Sequence, residues 1–559
     1  MPIGMYISLI GMFILCLQLI LVLITKSKIS IMNTETTVRT ERKKLIDNYW
    51  IVALLFVLYK LILHLLTNTN YELHRDEMLY FNMADYLSSG YATVPPVTGF
   101  MAYIVKSIFG YSVFGIRFFP ALFGSATVFI LAKIIRELGG GIPSLVIASL
   151  AYIFSPGFLL LDSLFTPNFI EHFIWLLITY LLIRMITQNK PVLWILIGVL
   201  TGIGFLTKYS ILFFVVSFVI AILPTRHNKL FLSRYFLFAL VVAFLIFLPN
   251  ILWQYNHGWP VVTHMSDLKR TQLDIYSNAD FFLDIFSLTS GFTLLWVGGL
   301  LSLIFLKKER QSRYLGAGSF LLILFFLISG GKAYYIMAII PFLFAIGGLM
   351  IEKYLKAWLL IPVSLLYAVT LLYSLVSLPF ALPVLPFNKL NTYREKTENF
   401  IIYPFYRWED GKVHNISQAF TDMTGWNELA GKVAEAYNML PQKDREKCMI
   451  FLEENYGDAG AIHFYGKKYG LPEPVTFQES YVFWAPDTIP DGPVIYVHFK
   501  PGGFEELYYN IKDVGVVEDI YFRETGLKVF LCTSPKENVP EVYRKHALEK
   551  KKLFTRKLK

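Results

Sequence analysis

The chain has 559 residues, of which 55% are hydrophobic, 16% aromatic and only 16% charged. A composition this apolar excludes a water-soluble globule and defines a multi-span membrane protein. The net charge of +10 would suggest a nucleic-acid partner for a soluble protein. Here the basic residues fall mostly in short loops between hydrophobic runs, where they set topology, so nucleic acid is excluded.

A hydrocarbon core of about 30 Å requires roughly 20 apolar residues per helix. The first run, residues 5–25, lacks the basic flank of a signal peptide and exceeds a usual signal core, so it reads as a retained span. Residues 1–48 are thus an extra N-terminal transmembrane helix and a basic cytoplasmic linker. Further spans are expected at 49–67, 113–136, 142–160, 165–186, 192–206, 210–224, 233–250, 288–306, 314–329, 333–351 and 357–379. The fold class is therefore an all-α polytopic membrane domain of about twelve transmembrane helices.

Alternate loops carry the positive charge: Lys26 to Lys44, Lys133 with Arg136, Arg184 with Lys190, Arg226 to Arg234, Lys307 to Arg313, and Lys353 with Lys356. Cytoplasmic loops keep such charge, which places the N-terminus, the 68–112 loop and everything after residue 379 outside. The exceptions on the sparsely charged side are Arg75, Lys106, Lys208, Lys269 with Arg270, and Lys332. Each is either an interfacial residue reaching for water or a binder of an anion.

From about residue 380 charge and turn residues rise. MIFLEENYGDAGAIHFYGKKYG reads as strand, turn, helix; VIYVHF and LKVFLC as strands; WNELAGKVAEAYNML as an amphipathic helix. Residues 381–559 form a small α/β extracytoplasmic domain, ending in the basic tail YRKHALEKKKLFTRKLK, which reads as a solvated or frayed end ahead of the alternative, a contact with anionic headgroups. A disulfide between Cys448 and Cys532 cannot be inferred from spacing.

Chemistry concentrates in the 68–112 loop. Asp76 and Glu77 are neighbours, and neighbours on a helix point about 100° apart, so one should face the membrane domain and the other water or a cation. Asp76 either caps a helix or acts on a substrate, where a partly desolvated carboxylate at the bilayer surface is suited to general-base work. Glu171 follows the helix start at Thr166 and Pro167. It is either stabilised by the helix dipole or faces a water-filled cleft. Lys208 and Lys332 occupy outer turns, Lys208 beside Tyr209, and Lys332 ahead of Tyr334 and Tyr335. Trp253, Tyr255, His257 and Trp259 begin another external loop, as an interfacial belt or a platform for a sugar ring. His74, Asp76 and Glu77 offer ligand atoms for a divalent metal without specifying a geometry, and the sequence requires no cofactor. No nucleotide-binding glycine motif stands in a credible context.

The motifs HRDEMLY, the Pro95–Pro96 pair, RELGGG, LTKYS, LPNILWQ with HGWP, and GKAYY recur in order and at consistent sides of the membrane. Together, over residues 49–380, they resemble the GT-C glycosyltransferases similar to family 39, which include protein O-mannosyltransferases and bacterial aminoarabinose transferases. The resemblance implies a bacterial inner-membrane enzyme that moves a sugar from a polyprenyl-phosphate donor to a protein, lipid or glycan acceptor on the outer face, with inversion. It implies catalytic roles for Asp76, Glu77 and Glu171. Arg75, Tyr91, Lys208, Tyr209, His257, Lys332, Tyr334 and Tyr335 would bind donor phosphate or substrate. Two departures stand out. Related sequences carry an Asp near the Glu171 junction, where this chain has Asp162, Asn168 and Glu171, and some carry a Lys ahead of the diproline, where this chain has Thr93 and Val94. The alternative reading of the same charges is a transporter or flippase of a lipid-linked sugar.

Overall fold

The computed structural model describes residues 35–397, 406–536 and 538–555. The expected span at 5–25 lies outside the described residues. Among the described residues, seven helical segments are long and apolar enough to cross a membrane: Asn48–Leu65, Val113–Glu137, Pro167–Thr187, Arg234–Asn256, Asn278–Phe305, Lys307–Ile328 and Ala357–Phe380. They coincide with seven of the expected spans.

The other four are shorter than expected, for local reasons. The span predicted at 142–160 ends at Phe154, because Ser155 is extended ahead of Pro156. The runs at 192–206 and 210–224 become helices Leu193–Phe205 and Ile211–Ile222, separated by the Lys208 turn. The run predicted from 333 starts as a helix only at Ile340, after a 3-10 turn over Ala333–Ile336. At 1.5 Å per residue such helices reach about 20 Å, short of the hydrocarbon thickness.

In chain order the helices used below are α1 (Glu35–Leu65), α2 (Arg75–Asn82), α3 (Val97–Phe109), α4 (Val113–Glu137), α5 (Pro167–Thr187), α6 (Arg234–Asn256), α7 (Pro260–Leu268), α8 (Thr293–Phe305), α9 (Ile340–Tyr354), α10 (Trp426–Met439), α11 (Tyr456–Tyr465) and α12 (Val539–Thr555). The membrane helices pack backbone to backbone through small residues, as expected where lipid removes the hydrophobic drive between helices. On α8 and α9, a Cβ at Gly299 would lie 2.5 Å from the Leu343 carbonyl oxygen, and one at Gly347 would lie 2.3 Å from that of Leu295. The outward faces of α1 and α6 expose Leu54, Leu58, Leu237, Phe244 and Leu245, the surface a hydrocarbon solvent requires.

The polar C-terminal part holds a five-stranded sheet in the order β2-β1-β3-β5-β4, with β1 Met449–Leu452, β2 Pro474–Val475, β3 Val494–His498, β4 Tyr508–Val516 and β5 Lys528–Pro535. β1 pairs in parallel with β2 and β3, while β5 runs antiparallel between β3 and β4. Alternation divides the sheet faces. Ile450 and Leu452 share a core with Leu429 and Val433 of α10, whereas Met449 and Phe451 pack with Val539, Tyr543 and Ala547 of α12. The expected basic tail is thus corrected. Much of it is α12, held because Tyr543 and Ala547 recur at a four-residue spacing that buries one stripe.

This domain sits on the 68–112 loop. The Glu72 carboxylate accepts the Trp426 N–H at 2.7 Å, at the N-terminus of α10, where the helix dipole favours an anion. The Leu73 N–H donates to the Tyr465 hydroxyl at 2.8 Å, and Asn82 donates to the Tyr481 hydroxyl at 2.7 Å. The loop and the C-terminal domain therefore share one face of the membrane.

Candidate active site

Helix α2 begins at a reciprocal cap. His74 Nδ1 accepts the Asp76 N–H at 3.1 Å, and Glu77 Oε2 accepts the His74 N–H at 2.9 Å. The cap therefore belongs to His74, and the Asp76 carboxylate projects about a third exposed. It accepts a 2.5 Å hydrogen bond from the Tyr456 hydroxyl of the C-terminal domain, with Arg75 Nε at 3.8 Å.

Glu77 points the other way and is fully buried. Arg117 of α4 grips it at 2.7 Å, and the Phe165 N–H donates to it at 3.0 Å. The same guanidinium donates to the carbonyls of Asn68, Tyr71 and Glu72. A carboxylate committed to these donors has no open oxygen for a substrate proton, so the catalytic role expected of Glu77 gives way to holding the loop in place.

The expected cations occupy two linked positions. Arg75 Nη2 lies 3.1 Å from Glu409, and Lys332 Nζ lies 3.4 Å from the same carboxylate. Burial opposes the charge on Glu409, but Lys332 and Arg75 outweigh it and hold its carboxyl down to about 2. Lys208 Nζ pairs with the buried Glu171 at 3.0 Å, donates to Asn168 Oδ1 at 2.7 Å, and stands 5.3 Å and 5.0 Å from the ring centroids of Tyr334 and Tyr335. Ser210 also donates to Glu171. Of the two acids near the α5 junction, Asp162 is taken by Lys60 at 2.9 Å and by Tyr152 at 2.8 Å. Glu171 is the one that faces an outer-turn cation.

A hollow of about 360 Å³ opens beside these groups, lined by Lys332 and Tyr334 together with Gln272, Tyr276, Asp280, Asp284, Arg407, Trp408 and Glu409. Asp76, Glu171 and Lys208 do not line it. They reach its wall through Arg75 to Glu409 and through Lys208 to Tyr334. Its lining thus combines cations, carboxylates and the aromatic side chains of Tyr276, Tyr334, Phe380 and Trp408 with apolar Leu160 and Leu288, a mixture of apolar wall and convergent polar groups that suits a small-molecule site.

Three expected binding residues are placed elsewhere. Tyr91 is buried in the loop's own packing, donating to the Met83 carbonyl at 3.3 Å, with its ring against Gly99. Tyr209 turns toward α6, donating to Asn250 at 2.7 Å. His257 stays with its own helix, Nδ1 2.8 Å from the Trp253 carbonyl, and stacks on Trp253. The trio offered as metal ligands also diverges, since Glu77 is held by Arg117 while His74 Nε2 faces Asp422 at 3.6 Å.

Arg407, Trp408 and Glu409 come from the segment after the last span, and Tyr456 from the C-terminal domain, so sequence reasoning confined to the membrane loops missed them. The run YRWED was the available signal: a Trp flanked by opposite charges ahead of a Gly turn.

A polytopic bundle whose 68–112 loop is capped by an α/β domain defines a GT-C-type membrane protein. Residues 93–253 match the sequence model of the family described as dolichyl-phosphate-mannose-protein mannosyltransferase. The chain is 26% identical over 255 residues to the lipid A galacturonosyltransferase RgtD of Rhizobium johnstonii, a match that takes in 44% of this chain and 53% of the relative. The chain thus spans about half the length of the curated relative it matches. In three dimensions it resembles ArnT from Cupriavidus metallidurans bound to undecaprenyl phosphate, with a TM-score of 0.59 at 14% identity, covering 86% of this chain and 98% of that one. The apo form of that protein gives 0.56 over 87% and 98%. The chain has the GT-C fold.

Proposed function

We propose that the chain is an integral inner-membrane glycosyltransferase that takes a sugar from a polyprenyl-phosphate donor and passes it to an acceptor hydroxyl on the outer face. The observation that carries this reading is the chain of contacts from Asp76 through Arg75 to Glu409 and Lys332 at the wall of one hollow, with Lys208, paired to Glu171, facing Tyr334 of the same wall. A carboxylate and a set of cations within reach of one another are what displacement at a sugar phosphate requires.

In this mechanism Asp76 orients the acceptor hydroxyl and receives its proton as the acceptor oxygen attacks the anomeric carbon. The bond from that carbon to the phosphate oxygen breaks, and polyprenyl phosphate leaves with the electron pair. Lys332, Arg75 and Lys208 balance the charge that develops on the leaving phosphate, while Tyr334 and Tyr335 donate hydrogen bonds. A single displacement inverts the anomeric centre. The shape of the fold in ArnT, whose structure holds undecaprenyl phosphate, supports a lipid-phosphate donor. Asp76→Asn is expected to abolish release of polyprenyl phosphate from a labelled lipid-phosphate sugar while the protein folds and inserts. Undiminished release removes Asp76 from the reaction.

A further inference from the structure

A second polar hollow, of about 290 Å³, lies between α7, the turn at Thr476–Glu479 and α12. Its titratable lining is His264, Asp267, Glu453, Glu479, His546 and Lys550, with Thr476 and Gln478 as further polar groups. None of these residues lines the first hollow. Both hollows adjoin the 68–112 loop. Arg75, next to Asp76, reaches Glu409 in the first, and directly after Glu479 of the second Ser480 accepts the Ala92 N–H at 3.2 Å while Tyr481 accepts from Asn82 of α2 at 2.7 Å.

Resting on the glycosyl-transfer reading, we propose that this second hollow is the acceptor subsite and seats a sugar ring that is neutral or carries an amine.

Volume argues for a small ligand. Binding sites begin at about 300 Å³, so the hollow suits one ring and is too small for a polyprenyl chain. The chemistry of the lining argues for a sugar. Carboxylates and imidazoles pair with hydroxyls, and Phe477 presents an apolar ring, packed edge-on with His546 at 5.3 Å, for the C–H face of a pyranose. Charge argues against a phosphorylated or uronic acceptor ring at this position. Asp267 and Glu453, joined by Glu479 when it is ionised, stand against the single ammonium of Lys550, and the histidines do not redress the balance, since burial pushes both His264 and His546 toward the neutral form. Glu479, 3.7 Å from His264 and about a quarter exposed, is held up to about 7 by burial and by the charge of Asp76.

The test uses the full chain in nanodiscs and saturation-transfer NMR with methyl β-D-glucopyranoside, D-glucosamine and glucose 6-phosphate as probes. Polyprenyl-phosphate binding is followed separately by tryptophan fluorescence. The expected result is saturation of the first two sugars, a signal about tenfold weaker for the phosphate, and loss of sugar signal in His264→Ala/Glu479→Gln with lipid binding unchanged. Lys550→Glu, on the outer helix and outside the packed core, should raise the glucosamine signal relative to the glucoside. This holds the proposal to account even where the double variant folds poorly. No sugar signal in the wild type, an undiminished signal in the double variant, a preference for the phosphate, or no change in Lys550→Glu overturns the acceptor seat and leaves the transfer reading standing. A wild type that binds the sugars but no polyprenyl phosphate overturns the transfer reading and the acceptor role with it.

Discussion

Lys208 neutralises the buried Glu171 across 3.0 Å while its ammonium faces the rings of both Tyr334 and Tyr335. One side chain thus ties the α5 junction to the Lys332 turn, although their sequence positions lie more than a hundred residues apart. Removing one partner of a buried pair leaves an uncompensated charge, at a cost of about 3 kcal/mol. Lys208→Met should therefore lower the melting temperature, and Lys208→Met/Glu171→Gln should recover most of it. Neither variant should regain polyprenyl-phosphate binding, because the cation is missing from both. A double variant that binds the lipid as tightly as wild type would show that Lys208 serves the fold alone.

Glu409 makes a different prediction. It occupies Arg75 and Lys332 at once, the two cations that a donor phosphate needs. In the donor-free protein the carboxylate competes with the phosphate for them. Glu409→Gln should tighten binding of polyprenyl phosphate by about tenfold, equivalent to about 1.4 kcal/mol, and should steepen the rise of affinity on lowering salt, since two uncompensated cations then face the phosphate. An unchanged dissociation constant in a lipid titration would mean that the phosphate approaches elsewhere.

The Glu77–Arg117 pair separates structure from chemistry inside one dipeptide. Glu77→Gln removes a fully buried charge from a guanidinium that also holds three loop carbonyls, and should destabilise the protein by about 3 to 5 kcal/mol. Asp76→Asn should leave the melting temperature near wild type, because Asp76 is about a third exposed and its main partner is a single tyrosine. Thermal melts of the two variants side by side check this. Equal losses would refute the division between them.

Much of this arrangement was legible in the sequence, and the residues explain where legibility ended. Hydropathy located the long spans because the bilayer imposes a length on each helix. The divergence of Asp76 from Glu77 followed from helix geometry alone. Lys208, Lys332 and Glu171 stood out as charges with no topological reason for their positions. Tyr91 and Tyr209 looked equally eligible, but which face of a turn a tyrosine takes depends on packing partners such as Gly99 and Asn250, which local pattern does not encode. Glu409, Tyr456 and Glu479 arrive from the polar C-terminal part by docking. Strand β4 was missed because, as an edge strand, it buries only its first residue fully and carries no clear alternation.

That docking should depend on pH. His463 is buried between Asp85 at 2.9 Å and Glu473 at 2.8 Å, where the C-terminal domain meets the 68–112 loop. Lys106 and Tyr111 also bind Asp85, and Lys467 binds Glu473. Burial works against a charged imidazole, but the two carboxylates outweigh it and raise its titration above the ordinary 6.5. Burial likewise works against the Glu473 charge, yet His463 and Lys467 hold its carboxyl down to about 2 from 4.5. A raised histidine stabilises fully below its unfolded value and loses that contribution as pH climbs through the folded one. A depressed carboxylate stabilises above its unfolded value and loses that contribution as pH falls toward the folded one. The contact should therefore be strongest between about 4.5 and 6.5, and weaken as pH rises past the histidine's raised value. Amide exchange in residues 83–86 and 463–473, followed from pH 5 to 9 after correction for intrinsic rates, should accelerate at the alkaline end in wild type. His463→Gln should exchange faster throughout and lose the pH step, and a step that survives in this variant would assign the titration to another group.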